Sequence, residues 1–369
     1  LSHVLGRCSS YLQLSFGLKT VFGGGIDNFT SDCSIAKPTL AIGVPRVFEK
    51  IYSQVDQKIK VGSIIEKRAF EWACSSSNSY YSKIDNDLSP TTYEIIQKNI
   101  AFKLIFQKLN KLFGGQLKYF ICGGAALKPE ISIFLRNLNL TILEGYGLTE
   151  TIGPCVVNPS RKQLSGSVGL PIGDVKIKIS NINEVLIKSK ALCSGFLNNK
   201  SPFLDEQEWF HTGDIGFITS EGYLKITDRL KDMIVTSNGK TISPQKIEAL
   251  MSSQIYIDQF IVIGEGRHYL TGIVSLNINE LSDLLLRCKL KKTDSLEILA
   301  KKKELNQIIA KEIEIANQFL PEHEQVKNFK ISTQGISIES GHVTPSLKIK
   351  RKKVLLDFEH EINAMYNNT

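Results

Sequence analysis

The chain contains no run of about 18 apolar residues that would read as a membrane span. It has no charged-then-apolar opening segment that would read as a secretory leader either. Its seven cysteines, at 8, 33, 74, 122, 155, 193 and 288, are scattered and odd in number and never form a Cys-x-x-Cys pair. That usage points to a reducing compartment, hence a cytoplasmic protein, and to the absence of a zinc site. The glycine run Gly23-Gly24-Gly25 is too bare of Lys, Ser and Thr for a phosphate loop and reads as a flexible turn. The basic run Lys348-Ile349-Lys350-Arg351-Lys352-Lys353 has no interleaved aromatics, which argues against nucleic acid and for a solvated face. The first residue is Leu1, not Met, which reads as a processed protein or as part of a longer one.

What is present is an ordinary globular composition, 42% hydrophobic and 22% charged. At 369 residues the chain exceeds the size at which one core keeps growing, so two domains are expected. The net charge of +8 suits polyphosphates, CoA, nucleic acid or peripheral contact with an anionic lipid surface, and does not choose among them. A soluble surface with surplus Lys explains it as well.

The most informative stretch is Glu144-Gly145-Tyr146-Gly147-Leu148-Thr149-Glu150-Thr151. Glycines let backbone approach a ligand closely, Tyr146 offers a flat face to a base, Thr149 can bond phosphate oxygens and Glu150 can hold Mg²⁺. A plain Gly-Tyr-Gly turn would look similar. Upstream, Leu117-Lys118-Tyr119-Phe120-Ile121-Cys122 reads as a strand, Gly123-Gly124-Ala125-Ala126 as a turn of small residues, and Pro129 as the start of a helix. Thr141-Ile142-Leu143 is a further strand that delivers the motif as a loop, the way an α/β sheet presents a site at the carboxyl ends of its strands.

Elsewhere, Lys37 to Arg46 read as a short strand closed by Pro45, Val47 to Ile59 as an amphipathic helix, residues 75–90 as a polar surface loop and 93–113 as a second helix. Short alternating strands over 169–196 read as a small β-subdomain. Asp214 follows a Gly and could accept two ribose hydroxyls, and Arg229 could meet a phosphate, although a turn or an ion pair explains either residue taken singly. Beyond Lys231, strands at 260–263 and 270–274 with helices at 280–287 and 295–319 read as a small α+β domain.

Taken in order, Gly123-Gly124-Ala125-Ala126, the Glu144 to Thr151 motif, His211-Thr212-Gly213-Asp214, Asp228-Arg229-Leu230-Lys231-Asp232, Ser237-Asn238-Gly239-Lys240 and Thr344-Pro345-Ser346-Leu347-Lys348 resemble the signature of the adenylate-forming superfamily. Val44-Pro45-Arg46-Val47-Phe48-Glu49-Lys50-Ile51-Tyr52 and the Thr-Pro-Ser-Leu-Lys segment resemble the long-chain fatty acyl-CoA synthetases within it. The resemblance implies the carboxyl-terminal part of a large α/β adenylating domain with a small β-subdomain over 1–230. A hinge at Lys231 and a small mobile α+β domain over 232–369 would follow.

It also implies a two-step ligase whose substrates are a fatty acid, ATP and CoA, with Mg²⁺. Lys348 would bridge the acyl carboxylate and α-phosphate, Thr149 would contact phosphate and Glu150 would hold the metal. Tyr146, between Gly145 and Gly147, would stack on adenine beside the Gly123, Gly124, Ala125, Ala126 wall. Asp214 would take the ribose hydroxyls with Arg229 nearby, and the Gly239 loop would replace Lys348 when CoA enters. The family's phosphate-cradling loop would lie upstream of Leu1. Phe196 and Asp228 depart from the family pattern, where a Tyr and a Gly are more usual. A ligase for another carboxylic acid and a non-catalytic remnant remain the alternative readings.

Overall fold

A computed structural model describes residues 3–25, 28–197, 203–278, 280–290, 295–337, 339–344 and 349–367. The chain divides into two compact units, Leu1–Thr212 with Gly216–Ile226, and Gly213–Ile215 with Thr227–Thr369.

In the first unit, α1 (Val4–Phe16) and α2 (Phe29–Ala36) precede β1 (Leu40–Gly43). Helix α3 (Pro45–Lys60) has Pro45 in its first turn, where the missing N–H costs nothing, and buries Val47, Phe48, Ile51 and Val55 along one stripe. Helix α4 (Ile64–Asp85) opens on a capping box in which Ser63 and Glu66 satisfy each other's backbone N–H. Thr91 and Glu94 do the same for α5 (Thr92–Ala101). That helix continues through a π-helical turn (Phe102–Phe106), the short α6 (Gln107–Asn110) and a 3₁₀ turn (Lys111–Phe113).

There follow β2 (Tyr119–Gly123), α7 (Pro129–Asn137), β3 (Thr141–Leu148), β4 (Gly153–Val157) and β5 (Leu170–Pro171). The sheet runs β1-β2-β3-β4-β5, parallel across its first three strands and antiparallel thereafter. Phe120 of β2 centres the core, its ring edge-on to Phe48 at 5.0 Å and to Phe113 at 5.8 Å. A second sheet runs β6 (Lys176–Ile179), β7 (Glu184–Lys188), β8 (Phe210–Ile218), β9 (Leu224–Arg229).

Residues 75–85 of the expected 75–90 loop are helical, because α4 continues to Asp85. The serines that read as polar surface are small enough to be buried: Ser76 and Ser77 face inward with Ala73, and α4 packs on α7. Asn137 of α7 donates to Asn78 Oδ1 at 3.0 Å, and Arg136 Nη2 reaches both Asp85 oxygens at 2.9 Å.

Beyond the parts of β8 and β9 that belong to it, the second unit continues with a 3₁₀ turn (Leu230–Asp232) and the hairpin of β10 (Ile234–Val235) and β11 (Thr241–Ile242), followed by α8 (Pro244–Met251). Then come β12 (Ile257–Ile263), β13 (Leu270–Leu276), α9 (Leu281–Arg287), α10 (Leu296–Ala300), α11 (Lys303–Asn317), β14 (Val326–Ile331), α12 (Arg351–Asp357) and α13 (Glu359–Asn367). The sheet β12-β13-β14 is covered on both faces. Phe260 and Val262 join one core with α8, α9 and α11, while Ile261 and Ile263 join another with α12 and α13. That is why Phe260 to Ile263 is apolar without alternation.

The single helix expected over 295–319 is two. Asn306 Nδ2 donates to the carbonyls of Ala300 (2.7 Å) and Lys302 (2.8 Å), taking up carbonyls where α10 ends and α11 begins. The basic run is not wholly a solvated face. Arg351 Nη1 donates to Val262 O at 2.7 Å, and its Nη2 meets Glu248 Oε1 at 2.5 Å.

Phe260 lies across β13 so closely that a Cβ on Gly272 would stand 2.1 Å from its Cζ. Gly272→Ala is therefore expected to lower the unfolding free energy in urea by ~1–3 kcal/mol, with Phe260→Leu in the same chain recovering part of the loss. An unchanged transition in the single variant would refute this packing.

Candidate functional site

The parallel pairing of β2 and β3 places Gly123 opposite Gly145, so two of the predicted glycine segments meet at the carboxyl end of β2, where its parallel pairing with β3 stops. Gly123 is buried, whereas Gly124, Ala125 and Ala126 are exposed, and Gly124 takes a φ of +91° that favours glycine.

The motif expected as a loop is largely strand: β3 extends through Leu148 before turning back as β4. Gly147 permits this, since a Cβ there would lie 2.0 Å from Gly153 O. The turn that follows is held by Thr151, which is buried. Its Oγ1 accepts from Leu148 N at 2.8 Å and lies 2.7 Å from Gly153 O and 3.0 Å from Leu148 O, to one of which its own proton goes. Ile152 takes a φ of +59°, a left-handed conformation that costs a β-branched residue about 1–3 kcal/mol.

Two cysteines brace this turn: Cys8 Sγ donates to Ile152 O at 3.0 Å, and Cys193 N donates to Glu150 O at 2.8 Å. Thr149 is exposed and Glu150 half-buried. Tyr146 is half-buried, packed against the cluster that includes Cys155, Val156 and Ile187. Gly123 to Ala126, Gly145 to Gly147, Thr149 and Glu150 thus form one group on the first unit.

In the second unit, Asp214 on β8 is 2% exposed and pairs with Arg229 on β9, Nε to Oδ1 at 2.9 Å. Lys231 is exposed in the 3₁₀ turn. Gly239 closes the β10–β11 hairpin at φ +72°, its N–H donating to Thr236 O at 2.9 Å. Lys348 falls outside the described residues. On either side of 345–348, Val343 pairs with Ile349, and Lys350 N donates to His342 O at 2.7 Å. The buried His342 ring lies 2.8 Å from both Ser340 Oγ and Asp357 Oδ2.

Sequence reasoning missed three polar groups. Asp228, the departure from the family pattern, is fully buried and accepts from Arg229 N (2.7 Å), Ser243 Oγ (2.6 Å) and Gln245 N (3.1 Å), so it serves the start of α8. Glu248, which takes Arg351, also accepts from Val262 N at 2.9 Å. Glu144, opposite Cys122, is 7% exposed, and its Oε1 has no hydrogen-bond partner among the described residues. Burial pushes its carboxyl up to about 7, against a hydrogen bond with Ser132 that works the other way.

A family described as AMP-binding enzyme matches residues 1–196, and a second, AMP-binding enzyme C-terminal domain, matches 231–369. With the glycine-lined strand ends of the first unit, these matches mean that the chain belongs to the AMP-binding, adenylate-forming enzyme family. It is 29% identical to the long-chain-fatty-acid–CoA ligase FadD15 of Mycobacterium tuberculosis, over all of this chain and 61% of that one. It is 28% identical to the long-chain-fatty-acid–CoA ligase 5 of Mus musculus, over all of this chain and 55% of that one. The chain thus spans little more than half the length of these relatives. Its fold resembles the A domain of carboxylic acid reductase from Segniliparus rugosus, in complex with AMP and a co-purified carboxylic acid. That likeness has a TM-score of 0.64 at 20% identity, over 94% of this chain and 50% of that one.

A carboxyl raised by burial favours the fold when neutral. Its contribution is complete below the ordinary 4.5 and is lost as pH rises through about 7. Glu144→Gln should therefore match the parent in stability below pH 4.5 and exceed it above pH 7, by up to ~3 kcal/mol. Urea titrations across this range check the sign, and parallel curves for parent and variant would contradict it.

Proposed function

We propose that this chain works in a long-chain fatty acid–CoA ligase, activating a fatty acid carboxylate with ATP and passing the acyl group to CoA. The observation that carries the reading is the pairing of Gly123 with Gly145 at parallel strand ends beside the Thr149–Glu150 turn, in a chain similar along its whole length to ligases of that name.

Activation joins an anionic carboxylate to an anionic α-phosphate, forming the acyl–phosphate bond as the bond to the β-phosphate breaks and pyrophosphate leaves. Cations and fixed N–H groups lower that barrier by meeting charge where it builds up. In this reading Lys348 bridges carboxylate and α-phosphate, and the Thr149 hydroxyl donates to phosphate. Adenine lies on Tyr146 against the backbone of Gly123 to Ala126, which a larger side chain would block. Asp214, its carboxylate oriented by Arg229, takes the ribose hydroxyls.

Glu150 fits a magnesium ligand, because that ion is commonly held by one or two carboxylates together with phosphates and water. Bound there, the ion would offset phosphate charge. In the second step the CoA thiolate attacks the acyl carbon, the thioester forms and AMP leaves. Residues 232–369 form the small domain, turning about Lys231 so that the Gly239 hairpin succeeds Lys348 between the two steps.

In the full-length protein, Lys348→Ala is expected to slow fatty acid-dependent pyrophosphate release by about 10²–10³-fold. Transfer from supplied acyl-adenylate to CoA should be retained. Equal loss of both half-reactions would reject the assignment to Lys348. A panel of carboxylic acids in the same pyrophosphate assay, with turnover highest for an aryl or short-chain acid, would reject the long-chain reading.

A further inference from the structure

The turn between α3 and α4 presents three large aliphatic side chains to solvent: Val61, Ile64 and Ile65 are 87%, 71% and 80% exposed. Single exposed apolar residues are ordinary, but here three fall within the five residues 61–65 that join the two helices. Neither helix can rotate to hide them. The apolar stripe of α3 already faces the core, and the Ser63–Glu66 capping box fixes how α4 begins.

The segment after α5 returns to the same end. Phe106 lies edge-on to Phe70 of α4, with centroids 6.0 Å apart. Leu104, 58% exposed, comes with it.

Around these aliphatic groups the charge is mostly positive. Lys58, Arg68, Lys103 and Lys108 are exposed. Of the nearby acids, Asp56 pairs with Lys60 at 2.9 Å and Glu66 is engaged in its capping box, while Glu71, one turn beyond Arg68, is exposed and leaves the cations in excess. A second copy of this tip would bring cations against cations. A surface carrying anionic groups over an apolar layer satisfies both features at once.

We propose that the α3–α4 turn is a membrane-docking tip. Val61, Ile64 and Ile65 enter the acyl boundary of an anionic bilayer, and Lys58, Arg68, Lys103 and Lys108 engage its headgroup phosphates. Trp72, 37% exposed and about two turns along α4, reports on the same end.

The test is co-sedimentation of the chain with phosphatidylcholine vesicles, with and without phosphatidylserine. Binding should rise at least about tenfold with phosphatidylserine and fall at high salt. In a Trp209→Phe chain, Trp72 is the only tryptophan, and lipids brominated near the headgroup should quench it. Ile64→Asp with Ile65→Asp should cut binding about tenfold or more while circular dichroism is unchanged. Lys58→Glu with Arg68→Glu, a second variant outside the core, should abolish the preference for phosphatidylserine. The proposal is overturned if both variants bind vesicles like the parent, or if Trp72 is not quenched. It is equally overturned if sedimentation velocity shows that the variants only dissociate an oligomer while vesicle binding persists.

Discussion

Gly147 and Gly153 meet so closely that no side chain fits between them, and the arrangement of the first unit's site follows from that contact. With the strands pressed together, β3 can run past the parallel part of the sheet and turn back as β4, carrying its last residues beyond the end of β2. The turn must then be tight, which forces Ile152 into a left-handed conformation and draws the Thr151 hydroxyl inside as its internal brace. Thr149 and Glu150 are left at the outer edge because Thr151 occupies the inner one. If the proposed site is formed here, a backbone this constrained would hold its donors in place before a ligand arrives, which is the condition for electrostatic assistance without reorganisation.

The second unit is organised by buried charge rather than by glycine. Asp228, Glu248 and Arg351 tie the start of α8, the backbone of β12 and the first turn of α12 together. Burial raises the Glu248 carboxyl and the adjacent Arg351 guanidinium opposes that shift. Such a network is costly to break, because removing one partner strands the other away from water. It also fixes Arg351, which lies three residues beyond Lys348 in the sequence.

Much of this was legible in the sequence where local chemistry and tertiary packing agree. The strand–turn–helix at Tyr119 to Asn137 follows from apolar alternation, small residues and Pro129, and β12 and β13 follow from continuous apolar runs. Legibility failed where burial overrode composition. Ser76 and Ser77 carry the signature of a loop yet lie inside a helix, because a serine is small enough to pack between helices; Ser76 Oγ donates to Trp72 O at 2.9 Å, whereas the buried Ser77 hydroxyl has no partner among the described residues. Arg351 reads as one cation in a run of cations, and only the fold puts Glu248 opposite it. Glu144 sits in the middle of the most informative motif, but its burial depends on β2 and α7 and has no local signal. For the candidate site, the glycine segments and the Asp214–Arg229 neighbourhood could be read from motif order, whereas the bracing by Thr151, Cys8 and Cys193 could not.

Those two cysteines have a chemical consequence. Burial pushes the thiols of Cys33, Cys74 and Cys155 up to about 11 and raises those of Cys122 and Cys288 as well, which starves them of the thiolate that reacts with electrophiles. Cys8 and Cys193 are the half-buried thiols on the Glu150 turn, one against Ile152 O and the other with its backbone on Glu150 O. Alkylating or oxidising reagents that reach these half-buried thiols would act on the most constrained turn of the first unit. The native chain thus carries its own attachment points for a fluorophore or spin label beside the proposed nucleotide phosphates, and a built-in point of oxidative vulnerability in the same place.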